Sequence, residues 1–320
     1  MNTLWIEKYR PVYIEEIIGQ NNIIELIKKM SKFNYIPNML FYGKPGTGKT
    51  SVINTIIKNY YNKNNIFTIM KLDASDDRGI NTVRDEIKGF AEKRSLFPNK
   101  YKLIILDEAD SMTFDAQSAL KRIIEKNSKT TKFCFICNYE NKIISSIKNR
   151  CVNFKFKTIS ENNVIKKLYE IVKIEKIDIS KNALKVIAYN CCGDLRKAIN
   201  ILQSLNYQSK NINIFDIYKI LGVPNVTTVE MILDKLIENK ISLNQMYDII
   251  KKNIIDKGYS LSLYLKETLK LFVKKIFDLP EHIICYYFSE LADLEIKVSK
   301  STFGDLYILN FVCIFKKIEI

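Results

Sequence analysis

The sequence contains one histidine, His282, which leaves no basis for a His-based triad or a two-histidine metal site. Its seven cysteines are odd in number and irregularly spaced, a usage that suits a reducing compartment better than a disulfide framework. Cys134 and Cys137 form a C-x-x-C, but within a strand pattern, where an offset of three puts the thiols on opposite faces. No second pair stands at zinc spacing. Cys191 and Cys192 sit in a helical pattern and read as small buried hydrophobes. No apolar run approaches the roughly 18 residues of a membrane span, and Asn310 breaks the run from Ile308 to Phe315. The opening MNTLWIEKYRP shows neither an apolar h-region nor a small-residue cleavage site, so an intracellular protein is expected, not a secreted one. There is no internal repeat and no low-complexity segment.

What is present is a chain of 320 residues, 47% apolar, long enough for two or three domains with ordinary cores. A net charge of +15 makes a polyanion partner plausible, although Lys, Asn and Ile are abundant throughout, as an AT-rich coding sequence would produce. Aromatic residues are scattered and read as core. Strand-like runs at Asn38–Tyr42, Phe67–Leu72, Lys102–Leu106 and Lys132–Cys137 alternate with helical stretches, which predicts an α/β domain with a parallel sheet over residues 1–158. Residues 159–224 read as a helical segment, with Ser160 a good N-cap and LGVPNVT (221–227) a loop signal; residues 225–320 are again mostly helical.

The sharpest motif is Gly43-Lys44-Pro45-Gly46-Thr47-Gly48-Lys49-Thr50, which fits G-x-x-x-x-G-K-[ST] between an apolar strand and the helical run beginning at Ser51. The glycines let backbone N–H groups turn toward phosphates, and the helix that follows adds its N-terminal partial charge. ATP is the implied ligand, with Lys49 reaching its β and γ phosphates and the Thr50 hydroxyl on Mg²⁺. A second apolar strand ends in Asp107-Glu108, 58 residues after Lys49. Asp107 is placed to hold the Mg²⁺, and Glu108 to polarise an attacking water, which is consistent with hydrolysis rather than nucleotide binding alone.

With these motifs the sequence resembles the AAA+ ATPases, and more closely the replication factor C small subunits, the sliding-clamp loaders. The segments that carry the resemblance are LWIEKYRP (4–11) with IIGQ (17–20), GKPGTGKT, LDASDDRGINTVRDEIKGFA (72–91), LDEAD (106–110), SMTFDAQSALKRIIE (111–125), Cys137-Asn138, Asn149-Arg150-Cys151 and GDLRKAIN (193–200). The resemblance implies an AAA+ sheet domain, a helical lid and a C-terminal helical collar that joins subunits. It implies that Tyr9, Arg10, Pro11 and Ile18 wrap the adenine, that Asn138 is a sensor of the γ-phosphate, that Arg196 reaches the same phosphate from the lid, and that Arg150 acts in trans on a neighbour's ATP. A planar guanidinium suits developing phosphate charge. Three positions depart from the family pattern: Asn149 replaces a serine, Lys44 a proline and Asp73 an asparagine.

Between Ile80 and Lys93, Ile80, Val83, Ile87 and Phe90 recur at helical spacing, while Arg84 and Lys88 share another face. With Asp85 and Glu86 interleaved that face is also compatible with simple solvation. The resemblance implies that it tracks duplex DNA, with Arg78, Arg84 and Lys88 meeting phosphates in salt-dependent, sequence-independent contacts. It further implies that Gln117 couples the DNA and ATP sites. The expected partners are other clamp-loader subunits in a hetero-pentamer, a PCNA-like clamp and primer–template DNA, at a nuclear, cytoplasmic or viral replication site and not at a membrane. Two other readings stay open: a different AAA+ machine, such as a helicase or unfoldase, and a non-hydrolysing stator or adaptor.

Overall fold

The computed structural model describes residues 3–33, 35–61, 68–75, 80–93, 101–208, 211–238, 240–275, 280–301 and 304–316. The chain divides into two compact units, Met1–Asn211 and Ile212–Ile320.

The first unit is built on a five-stranded sheet: β1 (Met39–Tyr42), β2 (Ile69–Asp73), β3 (Lys102–Asp107), β4 (Thr131–Cys137) and β5 (Val152–Lys155). The order is β2-β3-β4-β1-β5, and every paired neighbour runs parallel. Helices α1 (Trp5–Lys8), α2 (Asn21–Lys32), α3 (Lys49–Tyr60), α4 (Ile80–Glu92), α5 (Phe114–Lys126) and α6 (Ser145–Lys148) precede or connect the strands. Side-chain alternation divides the core between the two sheet faces. Met39, Phe41, Leu103, Ile105, Cys134 and Ile136 pack with α2 and α3, whereas Leu40, Ile104, Leu106, Phe133, Phe135 and Cys137 pack with α4 and α5. Burial on both faces explains why β3 and β4 read as unbroken apolar runs. It also separates Cys134 from Cys137, as their spacing requires.

Strand β5 was not among the strand-like runs. Only Phe154 of its four residues is buried, so this edge strand lacks the apolar run that marks its neighbours. Helices α7 (Glu161–Glu175), α8 (Lys181–Cys191) and α9 (Leu195–Gln208) complete the unit, burying Leu168, Ile187 and Leu202. Ser160 occupies the N-cap of α7, but its side chain accepts no capping bond. Cys191 is buried, whereas Cys192 is exposed and ends α8 at φ +49°, which corrects the expectation of a buried pair. Cys192 is itself the residue at which the helix stops, so the apolar face of α8 does not include it.

The second unit comprises α10 (Ile214–Leu221), α11 (Val226–Glu238), α12 (Leu243–Ile254), α13 (Leu261–Lys275), α14 (Glu281–Lys300) and α15 (Ile308–Lys316). Gly222 ends α10 in the left-handed conformation that glycine tolerates, and α11 starts within the segment read as a loop. Tyr264, Phe272, Tyr287, Phe311 and Phe315 form a ring cluster at its centre, with Tyr287 stacked on Phe315 at 4.9 Å. No helix among the described residues is long and apolar enough to cross a membrane.

Candidate active site

Strand β1 delivers the chain to Gly43, and the loop turns through Gly46 and Gly48 into α3. Gly46 (φ +69°) and Gly48 (φ +96°) hold left-handed backbone, which only glycine adopts without strain. A Cβ on Gly46 would lie 1.8 Å from the Asp194 carboxylate, so the α9 end of the helical layer sits directly on this loop. The Asp194 carboxylate accepts from the Lys197 N–H, and the Leu195 N–H donates to the Gly46 carbonyl.

Around the loop lies an open cleft of about 210 Å³. Pro45, Gly46, Thr47, Gly48, Lys49, Thr50 and Ser51 line it from the loop and the start of α3, and Asp107, Glu108 and Asn138 from the ends of β3 and β4. Tyr9, Arg10, Pro11 and Ile18 line it from the N-terminal segment, and Arg196 from α9. The structure therefore brings together residues from five separate segments of the sequence. Gly43 and Lys44 do not line the cleft; their carbonyls accept from Lys49 Nζ at 2.7 and 3.0 Å.

Lys49 is buried, and its third acceptor is Asn138 Oδ1 at 2.8 Å. Burial pushes its pKa down, and the nearby Cys137 and Asp107 work in the opposite direction. The Thr50 hydroxyl donates to Asp107 Oδ2 at 3.1 Å. A hydroxyl beside a carboxylate is a hard oxygen pair of the kind Mg²⁺ takes when phosphates and water complete its shell. Glu108 follows at φ +52°, an uncommon conformation for a non-glycine residue, with its N–H on Asp107 Oδ1. Asp110 accepts from the N–H groups of Asn138 and Tyr139, tying the turn after β3 to the end of β4.

The N-terminal segment reaches across to the helices. The Trp5 N–H donates to Gln203 Oε1, and Lys8 Nζ and the Tyr9 hydroxyl both donate to Glu175 at the end of α7. The Lys8 ammonium and the Tyr9 hydroxyl hold the Glu175 carboxyl below the usual carboxylate range. Gln20 bridges the loop and the segment that follows β5, donating to the Lys157 and Thr47 carbonyls and accepting from the Lys157 N–H. Lys167, Asp73, Ile159 and Leu195 also line the cleft and are not among the residues the sequence singles out for the site: Asp73 and Leu195 lie within segments that carry the resemblance, whereas Lys167 and Ile159 come close through packing of remote segments with no local motif.

Arg150 lies apart from the cleft lining. It pairs with Glu125 of α5 and donates to the Ser146 carbonyl. Gln117 is buried: it accepts from the Ile144 N–H and donates to the Met112 and Lys142 carbonyls. Lys88 is exposed on α4, Arg84 belongs to the same helix, and Arg78 lies outside the described residues. Ile87 is buried and Phe90 packs against the core.

Three family models match successive parts of the chain. They are the ATPase family associated with various cellular activities (AAA) over residues 39–158, the RCF1/5-like AAA+ ATPase lid domain over 166–206, and the replication factor C C-terminal domain over 224–313. Among curated relatives, the probable replication factor C subunit 5 of Dictyostelium discoideum is 42% identical over 303 residues, covering 92% of this chain and 85% of that protein. Replication factor C subunit 5 of Mus musculus is 37% identical over 98% of this chain and 92% of its own length. Replication factor C subunit 3 of Schizosaccharomyces pombe is 35% identical over 94% and 91%. Among solved structures, the RuvB Holliday junction branch migration motor of Thermotoga maritima has a TM-score of 0.56 at 15% identity, covering 85% of this chain and 99% of that one, which is a likeness of fold alone.

Proposed function

Because the chain belongs to the replication factor C family of AAA+ ATPases, we propose that it is a clamp-loader small subunit that uses ATP binding to open a ring-shaped clamp and place it on primer–template DNA, with hydrolysis triggering release. The observation that carries the reading is the intact hydrolytic set in one cleft: Lys49, Thr50, Asp107, Glu108, Asn138 and Arg196. An adaptor that had lost hydrolysis would have no need of the complete set.

In this reading Lys49 exchanges its loop carbonyls for phosphate oxygens, while Thr50 and Asp107 would hold Mg²⁺, which when bound would supply positive charge against the charge developing on the phosphates. Glu108 takes the proton of the attacking water, Asn138 orients that water, and Arg196 contacts the γ-phosphate. Tyr9, Arg10, Pro11 and Ile18 enclose the base. Arg150 serves a neighbouring subunit's ATP; its exposed location outside its own cleft supports that assignment, and there it would exchange its pairing with Glu125 for phosphate. Residues 159–224 act as the lid and 225–320 as the collar of a hetero-pentamer. The α4 face with Arg84 and Lys88, together with Arg78, follows duplex phosphates, and the +15 charge favours such contacts.

The test is the steady-state ATPase rate of the complex reconstituted with its partner subunits, with the clamp and primer–template DNA added separately and together. Stimulation by both, lost with Arg150→Ala, is expected. Indifference to the clamp, with stimulation by single-stranded DNA or a protein substrate, would overturn the reading.

A further inference from the structure

Lys102 is 4% exposed at the start of β3, where the sheet and helices surround it. Among the described residues no carboxylate pairs with it. All three of its ammonium donors are spent on backbone: the carbonyls of Phe90 (2.9 Å), Ala91 (2.6 Å) and Lys93 (2.5 Å). Phe90 and Ala91 are in the last turn of α4, whose carbonyls have no partner within the helix. That turn carries no basic residue of its own, so its negative end is met by a cation brought from another element. The Lys102 ammonium also lies 5.7 Å from the centre of the Phe90 ring, yet a buried lysine with no carboxylate partner is an expensive way to fill space that a methionine could fill, because desolvation disfavours its charge. What it supplies is direction. Three N–H donors fix where the helix ends relative to the strand.

The strand in question carries Asp107 at its other end, about 17 Å away at 3.3 Å per residue. Near the same end of α4, Glu92 pairs with Lys126 of α5 at 2.8 Å, and Ala91 and Ile87 are buried on the sheet. Lys88 is one turn back on the exposed side. We propose that Lys102 is a positioning residue for nucleic-acid binding: by clamping the C-terminal end of α4 to the catalytic strand, it sets the stance of the helix face that carries Lys88 toward duplex phosphates. The inference rests on the reading of that face as the DNA-tracking surface.

The experiment compares wild type, Lys102→Met and Lys102→Gln in the reconstituted complex, with Lys88→Ala as a control. Amide hydrogen exchange is followed over residues 85–93, and binding of a fluorescent primer–template duplex is measured at fixed salt with a slowly hydrolysed ATP analogue. Removing the charged donors is expected to speed exchange at the end of α4 about tenfold in the methionine variant. Lys102→Gln, which keeps two neutral donors, should fall between, and covers the case in which the methionine variant does not fold. Duplex affinity should drop several-fold in both, with affinity for the ATP analogue unchanged. Lys88→Ala should weaken the duplex without changing exchange. Wild-type exchange rates in the Lys102 variants, or faster exchange with unchanged duplex affinity, would overturn the assignment while leaving the DNA reading intact. A wild-type complex that does not bind the duplex at all would sink the DNA reading, and this inference with it.

Discussion

Lys49 and Glu108 divide the proposed chemistry between them. Lys49 already faces three oxygens of the protein, so an incoming phosphate competes with carbonyls held in place by the loop itself. Lys49→Ala is expected to abolish measurable binding of a fluorescent ATP analogue, while unfolding remains cooperative. Glu108→Gln should bind the analogue as wild type does and lose hydrolysis by about 10²-fold or more, the scale of a lost general base. Equal loss of binding in both variants would show that Glu108 is part of the binding site instead. Glu175 titrates lower when folded than when free, because Lys8 and Tyr9 donate to it. Its hold on the N-terminal segment is therefore present above the ordinary carboxylate pKa and fades as pH falls through the depressed folded value. Nucleotide affinity should weaken across that acid range in wild type and should lack this pH-dependent component in Glu175→Gln.

At the scale of elements, the contact between the phosphate loop and α9 makes a distinct prediction. Gly46→Ala places a methyl group on the Asp194 carboxylate and also strains a left-handed backbone, a cost of about 1–3 kcal/mol for the backbone alone. ATP-analogue affinity should fall at least tenfold, and adding Asp194→Ala should recover part of the loss, a coupling that independent sites would not show. The loop and the β3 acids could be found from sequence because their geometry is local: a strand, a glycine turn and a helix start within a dozen residues. The bonds from the N-terminal segment to α7 and α9 could not, since Trp5 meets Gln203 across 198 residues and Tyr9 meets Glu175 across 166. Strand β5 escaped for want of an apolar run, and Lys102 read as an ordinary strand residue because nothing in its neighbourhood announces a buried cation. The resemblance supplied what local chemistry does not, including the placement of Tyr9, Arg10, Pro11, Ile18 and Arg196 around one cleft.

At the scale of the whole molecule, the two units differ in what they contain. The first holds the complete cleft, and the second has a core of its own dominated by aromatic rings. Within one chain, nothing from Arg150 lines the cleft. The isolated chain is accordingly expected to be a weak ATPase, with Arg150→Ala changing its rate less than twofold while lowering that of the assembled complex 10²-fold or more, within the range known for arginine fingers. Duplex binding by the complex should weaken steeply with salt and little with sequence. The most direct test of clamp loading is retention of labelled clamp on circular primed DNA by the reconstituted complex. ATP-dependent retention that is lost with Lys49→Ala is the predicted result. No retention from a complex that assembles and hydrolyses ATP, with unwinding of DNA or unfolding of a protein in its place, would contradict the account.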